Sequence, residues 1–190
     1  MINKILRSIF DFYKFYKIYK HKRKIVFYSE NRNSYEFFEG IINKLLINNY
    51  QIYYITSEFN DPVFKNKKIY SFYIGYGSIR TIFFQFFNSE IMILTMPDLN
   101  NAYIKKSKFC NNYIYITHNI CSLHMGFRAK AFNGYDTFFC VGPHHNKELE
   151  EIENLYSLKI KKFNFGYYKI DKLLSQISRK NLKILLIAPS

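Results

Sequence analysis

The 190-residue chain contains no Trp and only four Pro, seven Gly and three Cys, and its 14 acidic residues are outnumbered by 28 Lys and Arg. Three unevenly spaced cysteines, Cys110, Cys121 and Cys140, carry no CxxC pair, which excludes a disulfide-built scaffold and matches reduced thiols. No apolar run approaches the roughly 18 residues a spanning helix needs, and no uncharged segment with a small-residue cleavage site opens the chain. The scarcity of Gly and Pro leaves little material for linkers or low-complexity spacers, and no internal repeat is present.

What is abundant is aromatic and basic. Twenty Phe and 18 Tyr contribute to a hydrophobic content of 48%, ample for a core, and the length suits one domain plus an appendage. The net charge of +14 is concentrated, since Lys4, Arg7, Lys14, Lys17, Lys20, Lys22, Arg23 and Lys24 face Asp11 alone in the first 24 residues. A block of this kind favours an anionic partner, either nucleic acid or acidic lipid. Nucleic acid is disfavoured because the aromatics fall inside apolar runs, where their stacking faces would be buried.

Residues 1–23 read as a basic amphipathic helix. Ile2, Ile5, Leu6, Ile9, Tyr13 and Tyr16 recur at helical spacing, thickened by Phe10, Phe12, Phe15 and Tyr19, with Lys4, Arg7, Asp11, Lys14 and Lys17 in other directions. Such a helix either lies in a membrane interface or packs on its own domain. From residue 24 to 178 strands and helices alternate. Strands are expected at Ile25–Tyr28, Gln51–Ile55, Ile69–Ile74, Ile91–Leu94, Tyr113–Ile116, Thr137–Val141 and Ile160–Phe163. Helices are expected after Ser34 as N-cap to Leu46, over Ile79–Phe87, His145–Tyr156 and Asp171–Asn181. The class is α/β, a Rossmann-like parallel sheet with helices on both faces. The apolar run Leu182–Ile187 inside residues 179–190 reads as the first strand of a further α/β domain, because a lone strand cannot satisfy its backbone.

The candidate chemistry clusters between Tyr113 and Glu151. His118 stands at the C-terminal end of a strand, where open α/β sheets bind ligands, and an imidazole there suits general-base work; the competing reading is a buried, hydrogen-bonded histidine. Ser122, His124 and Arg128 follow, and Arg128 can pair a phosphate, whereas Lys130 reads as a solvated helix position. His144 and His145 open a helix, where they either meet an anion or cap the surface. His118, Cys121 and His124 have no zinc spacing and lack a fourth ligand, so no metal is assigned. Gly75-Tyr76-Gly77-Ser78 lacks the third glycine of a dinucleotide fingerprint and reads as a turn.

Taken in order, Met96-Pro97-Asp98-Leu99, Ile104-Lys105-Lys106-Ser107, Tyr113–His118, Ser122-Leu123-His124, Ala131-Phe132, Tyr135-Asp136, Cys140–His145, Glu148, Gly166-Tyr167 and Asp171 resemble the CDP-glycerol glycerophosphotransferase family of teichoic acid and capsule polymerases. The likeness runs from Lys24 to Ser190. It implies the acceptor-side half of a two-domain GT-B architecture, with the donor nucleotide held by the other half. It also implies a peripheral enzyme on the cytoplasmic face of the bacterial plasma membrane, transferring glycerophosphate or a related group from a CDP-linked donor to a lipid-linked polymer without a cofactor. His118 matches the family's base, with Ser122, His124 and Arg128 on the acceptor side and His144 and His145 near phosphate. The chain departs from the pattern directly after His118, where Asn119 and Ile120 replace small or polar residues. Two rivals remain open: a sugar-transferring GT-B glycosyltransferase, and a non-enzymatic module that binds anionic membrane or polymer.

Overall fold

The central strands form from short apolar runs because they are buried on both faces, where β-branched and aromatic side chains pack best, whereas the two edge strands are partly or largely exposed. The structure is a computed structural model that describes residues 2–100 and 104–176; the expected strand at 182–187 lies outside them. In chain order the elements are α1 (Ile2–Lys17), β1 (Ile25–Ser29), α2 (Tyr35–Ile47), β2 (Ile52–Thr56), β3 (Tyr70–Tyr73), α3 (Ser78–Phe86), β4 (Ser89–Leu94), β5 (Cys110–Ile116), α4 (Leu123–Gly126), β6 (Thr137–Cys140), α5 (Pro143–Tyr156), β7 (Lys161–Asn164) and α6 (Tyr168–Gln176). Short 3₁₀ turns at Lys20–Lys22 and Pro62–Lys65 complete the set.

All strands are parallel, in the order β3-β2-β1-β4-β5-β6-β7. This is the Rossmann-like α/β sheet expected from the alternation. The order reverses between β1 and β4, and at such a switch point the connections leave in opposite directions and open a crevice at the carboxyl edge.

Alternation along the strands divides two cores. Val26, Tyr28, Tyr53, Ile55, Met92, Leu94, Tyr113 and Tyr115 face α1, α3 and α5, while Phe27, Ile52, Tyr54, Ile93 and Ile114 face α2. Five tyrosines (Tyr28, Tyr53, Tyr54, Tyr113 and Tyr115) are among the largest fully buried side chains. These five tyrosines therefore serve as core. α6 lies against α2 through the ion pairs Lys169–Glu36 at 3.0 Å and Lys172–Glu39 at 2.6 Å.

Helix α1 is part of this core. Phe15 is fully buried among Phe72, Phe83 and Phe87, with ring centroids 5.6, 5.2 and 6.1 Å away. Asp11 turns inward and accepts the amide hydrogen of Tyr73 at 2.9 Å, satisfying an edge-strand donor. The Arg23 guanidinium, 5% exposed, sits 4.8 Å from the Phe15 ring centroid and 5.4 Å from that of Tyr16, so aromatic faces replace hydrogen-bond acceptors there. The boundary at residue 23 is thus no packing boundary. Ser34 also departs from expectation, since its own backbone is helical and its hydroxyl makes no cap bond.

Candidate active site at the carboxyl edge of the sheet

β5 is set by its own start: Asp136 accepts the Tyr113 amide hydrogen at 2.8 Å and the Lys106 ammonium at 2.6 Å. The strand then runs buried to Ile116 and releases Thr117 and His118 beside the end of β4. His118 is half-buried, with Phe127 edge-on at 5.6 Å and Phe37 at 6.2 Å between ring centroids. Its Nδ1 lies 3.3 Å from the Thr95 carbonyl oxygen and 3.4 Å from the Tyr115 hydroxyl. A carbonyl only accepts, so the Thr95 contact is satisfied by the tautomer with hydrogen on Nδ1. That tautomer leaves the Nε2 lone pair available for a proton. Burial pushes the Tyr115 phenol far above its ordinary range, so the hydroxyl stays protonated beside the imidazole.

The loop after His118 is fastened from three directions. Tyr167 donates its hydroxyl to the His118 carbonyl at 2.9 Å, and the Thr117 hydroxyl donates to the Asn119 carbonyl at 2.6 Å. His144 and His145, at the start of α5, bring their Nε2 atoms to the carbonyls of Ile120 and Cys121 at 3.1 and 3.0 Å. Glu148, one turn on, accepts the Leu123 amide hydrogen at 2.6 Å and the Ser122 hydroxyl. Burial alone raises the Glu148 pKa, but these bonds, with His124 and His145 nearby, hold it below the ordinary carboxylate value.

The expected site residues therefore separate into different roles. His118 faces the end of β4. Ser122 is engaged by Glu148. His144 and His145 meet edge to face, with centroids 4.4 Å apart, and clamp the loop. His145 is fully buried, so it does not present its ring to a phosphate in the crevice. His124 forms a 2.9 Å contact with Glu151, and both line a cavity of about 320 Å³ together with Arg128, Phe127 and Lys130. Phe127 stands between the two parts, touching the His118 ring and lining the cavity.

Sequence reading missed Thr95, Phe37 and Phe127, which position the imidazole from other elements. It also missed Glu30, Arg80 and Tyr76 at the switch point. Arg80 lies 3.4 Å from the Glu30 carboxylate, and the Tyr76 hydroxyl donates to the Glu30 carbonyl. Burial raises the Glu30 pKa against the pull of Arg80. The only signal for this group was the Gly75-Tyr76-Gly77-Ser78 turn, where Gly75 and Gly77 adopt φ of +64° and +97°. A second cavity, about 530 Å³, opens here between β2, β3 and the first turns of α1 and α3, lined by Lys4, Ile5, Ser57, Glu58 and Tyr76 among others.

Among the described residues no group of three or more His, Cys, Asp or Glu is arranged to hold a metal ion. Nor is any described helix long and apolar enough to cross a membrane. No protein-family profile, curated protein or solved structure matches the chain.

Proposed function

We propose that the chain is the acceptor-side half of a GT-B transferase that moves glycerophosphate, or a related group, from a CDP-linked donor to a lipid-linked surface polymer. It would work from the cytoplasmic face of the bacterial plasma membrane. The observation that carries the reading is the His118 imidazole, held at the carboxyl edge through Nδ1 to the Thr95 carbonyl with Nε2 left to accept a proton. The ordered residues from Met96 to Asp171 that resemble glycerophosphotransferases supply the reaction class.

In this mechanism an acceptor hydroxyl gives its proton to His118 Nε2 as its oxygen attacks the donor's β-phosphorus. The bond from that phosphorus to the bridging oxygen breaks, and CMP leaves with the electron pair. The proton held on Nε2 is released when product departs. Phe37 and Phe127 limit how far the ring can turn, and Tyr167 fixes the backbone of the base itself. Donor positioning and charge stabilisation, which dominate phosphoryl transfer, fall to the other half of such an enzyme.

The test is CMP release from CDP-glycerol with a lipid-linked glycerophosphate acceptor, measured on the two-domain transferase. His118→Ala is expected to lower turnover by about 10² to 10⁴ with the donor dissociation constant unchanged. Near-normal turnover in that variant removes His118 as the base. Parallel loss of donor binding would mean a folding defect instead.

A further inference from the structure

Helix α1 buries one side and leaves another apolar side open. Ser8, Asp11, Phe12, Phe15 and Tyr16 point to the domain, whereas Ile2, Ile5, Leu6, Ile9, Phe10 and Tyr13 remain between 49% and 71% exposed. At 3.6 residues per turn these six positions share an arc of about 140°. The surface continues onto α3, where Ile82 and Phe86 are 45% and 58% exposed, and Ile9, Phe12, Ile79 and Ile82 line a shallow apolar cleft between the helices. A contiguous face of this kind on a soluble-sized domain marks a contact surface.

The charges around the face select its partner. The Lys14 ammonium sits 4.3 Å from the Phe10 ring centroid and that of Lys17 4.7 Å from Tyr13, so both stems run along the aromatics and end at the border. Lys20 and Lys22 are exposed just beyond. The lone acid of α1, Asp11, is buried against the Tyr73 amide, and α3 contains no acid. Apart from the buried Asp11 the charged residues of the two helices are all basic, with Glu58 set in the cavity at the rim, and this balance disfavours a second copy of the chain and complements an anionic headgroup layer.

We infer that α1 and α3 together form a rigid docking plate for an anionic lipid bilayer, with the apolar side chains at the acyl boundary and the lysines among the phosphates. The plate is fixed to the sheet by Phe15 and Asp11, so it also fixes orientation. The first turns of both helices border the 530 Å³ cavity at the carboxyl edge, which places that edge alongside the bilayer and the β7 edge away from it. This docking stands without the transferase reading; if that reading holds as well, a lipid-anchored acceptor reaches the crevice from the plate side.

The experiment uses the 190-residue chain and vesicles of phosphatidylcholine with and without phosphatidylglycerol. Because the chain has no Trp, Phe10→Trp and Phe163→Trp give single reporters on the plate and on the distant β7 edge. The expected result is a blue shift for Phe10→Trp alone, on anionic vesicles, weakening with salt. Ile5→Glu with Ile9→Glu, Ile82→Glu, and Lys14→Glu with Lys17→Glu are each expected to reduce co-sedimentation by about tenfold or more. The lysine pair leaves every apolar side chain of the plate in place and gives up only the lysine stems over Phe10 and Tyr13, so it reads the plate even if a glutamate on the apolar side disturbs the fold. Wild-type binding in these variants, or equal shifts from both reporters, overturns the inference. So does a solution dimer that Ile9→Glu dissociates with no vesicle binding by the parent chain.

Discussion

Truncating Phe15 to Ala separates a docked α1 from a detachable one. The side chain is fully buried and touches Tyr16, Phe72, Phe83 and Phe87 as well as the Arg23 guanidinium. Deleting a buried Phe side chain costs about 3–5 kcal/mol in transfer free energy and cavity formation. Edge-to-face ring pairs and the lost cation–π contact place the expectation at the upper end. With a urea slope of about 2 kcal/mol/M for a domain of this size, the unfolding midpoint should fall by about 2 M. Asp11→Ala should cost about 1.5–3 kcal/mol, since it strands the Tyr73 amide at a sheet edge. Phe10→Ala is the matched control; its ring is 56% exposed, and the change should stay within about 0.5 kcal/mol. Urea unfolding followed by circular dichroism measures all three. A Phe15→Ala midpoint equal to that of Phe10→Ala would refute the claim that α1 belongs to the core.

Two further outcomes follow from the loops that shape the site. Gly134→Ala should destabilise by about 3 kcal/mol or more, because a Cβ there meets the Leu99 carbonyl oxygen at 2.2 Å, with backbone on both sides; thermal unfolding measures it, and an unchanged midpoint would refute the close approach. Burial holds the His145 pKa below its ordinary value, so the unfolded chain binds a proton more readily and stability is lost as pH falls below about 6.5. Between pH 7 and pH 5 the parent chain should therefore lose more stability than His145→Gln, which keeps a donor for the Cys121 carbonyl and does not titrate; equal losses would show that His145 is not held neutral.

The alternation of strands and helices was readable because parallel strands buried on both faces become continuous apolar runs. Ile25–Tyr28 extends by one residue to Ser29, and the helix expected over Ile79–Phe87 runs from Ser78 to Phe86. Strand order was not readable. Nothing in Ile25–Ser29 states that its neighbours are β2 and β4, since pairing is chosen by crossover geometry and by which faces the helices can cover. In the site, the position of His118 at a strand end was legible, but its tether was not, because Thr95 contributes a backbone carbonyl and any residue could supply one. The carbonyl partners of His144 and His145 were not legible for a related reason. Imidazoles at a helix start look like anion ligands, yet their partners are carbonyls 24 residues earlier.

α1 turns only part of its apolar surface inward. The sequence grouping joined Tyr16, with Phe10, Phe12, Phe15 and Tyr19, to Ile2, Ile5, Leu6, Ile9 and Tyr13 and set Asp11 with the basic residues in other directions. In the fold the core side is Ser8, Asp11, Phe12, Phe15 and Tyr16, where the Asp11 carboxylate accepts the amide hydrogen of Tyr73 on edge strand β3 and Phe15 is enclosed. Aromatics surround the helix too evenly for periodicity to choose, so the choice falls to a single buried hydrogen bond and one fully enclosed ring. The same reasoning changes how membrane contact must be tested. Removing residues 1–23 would take Phe15 and Asp11 from the core along with the exposed stripe, and loss of vesicle binding would then report unfolding. Reversing charge at Lys14 and Lys17, outside the α1–α3 cleft, acts on the outer face and keeps the two roles of the helix apart.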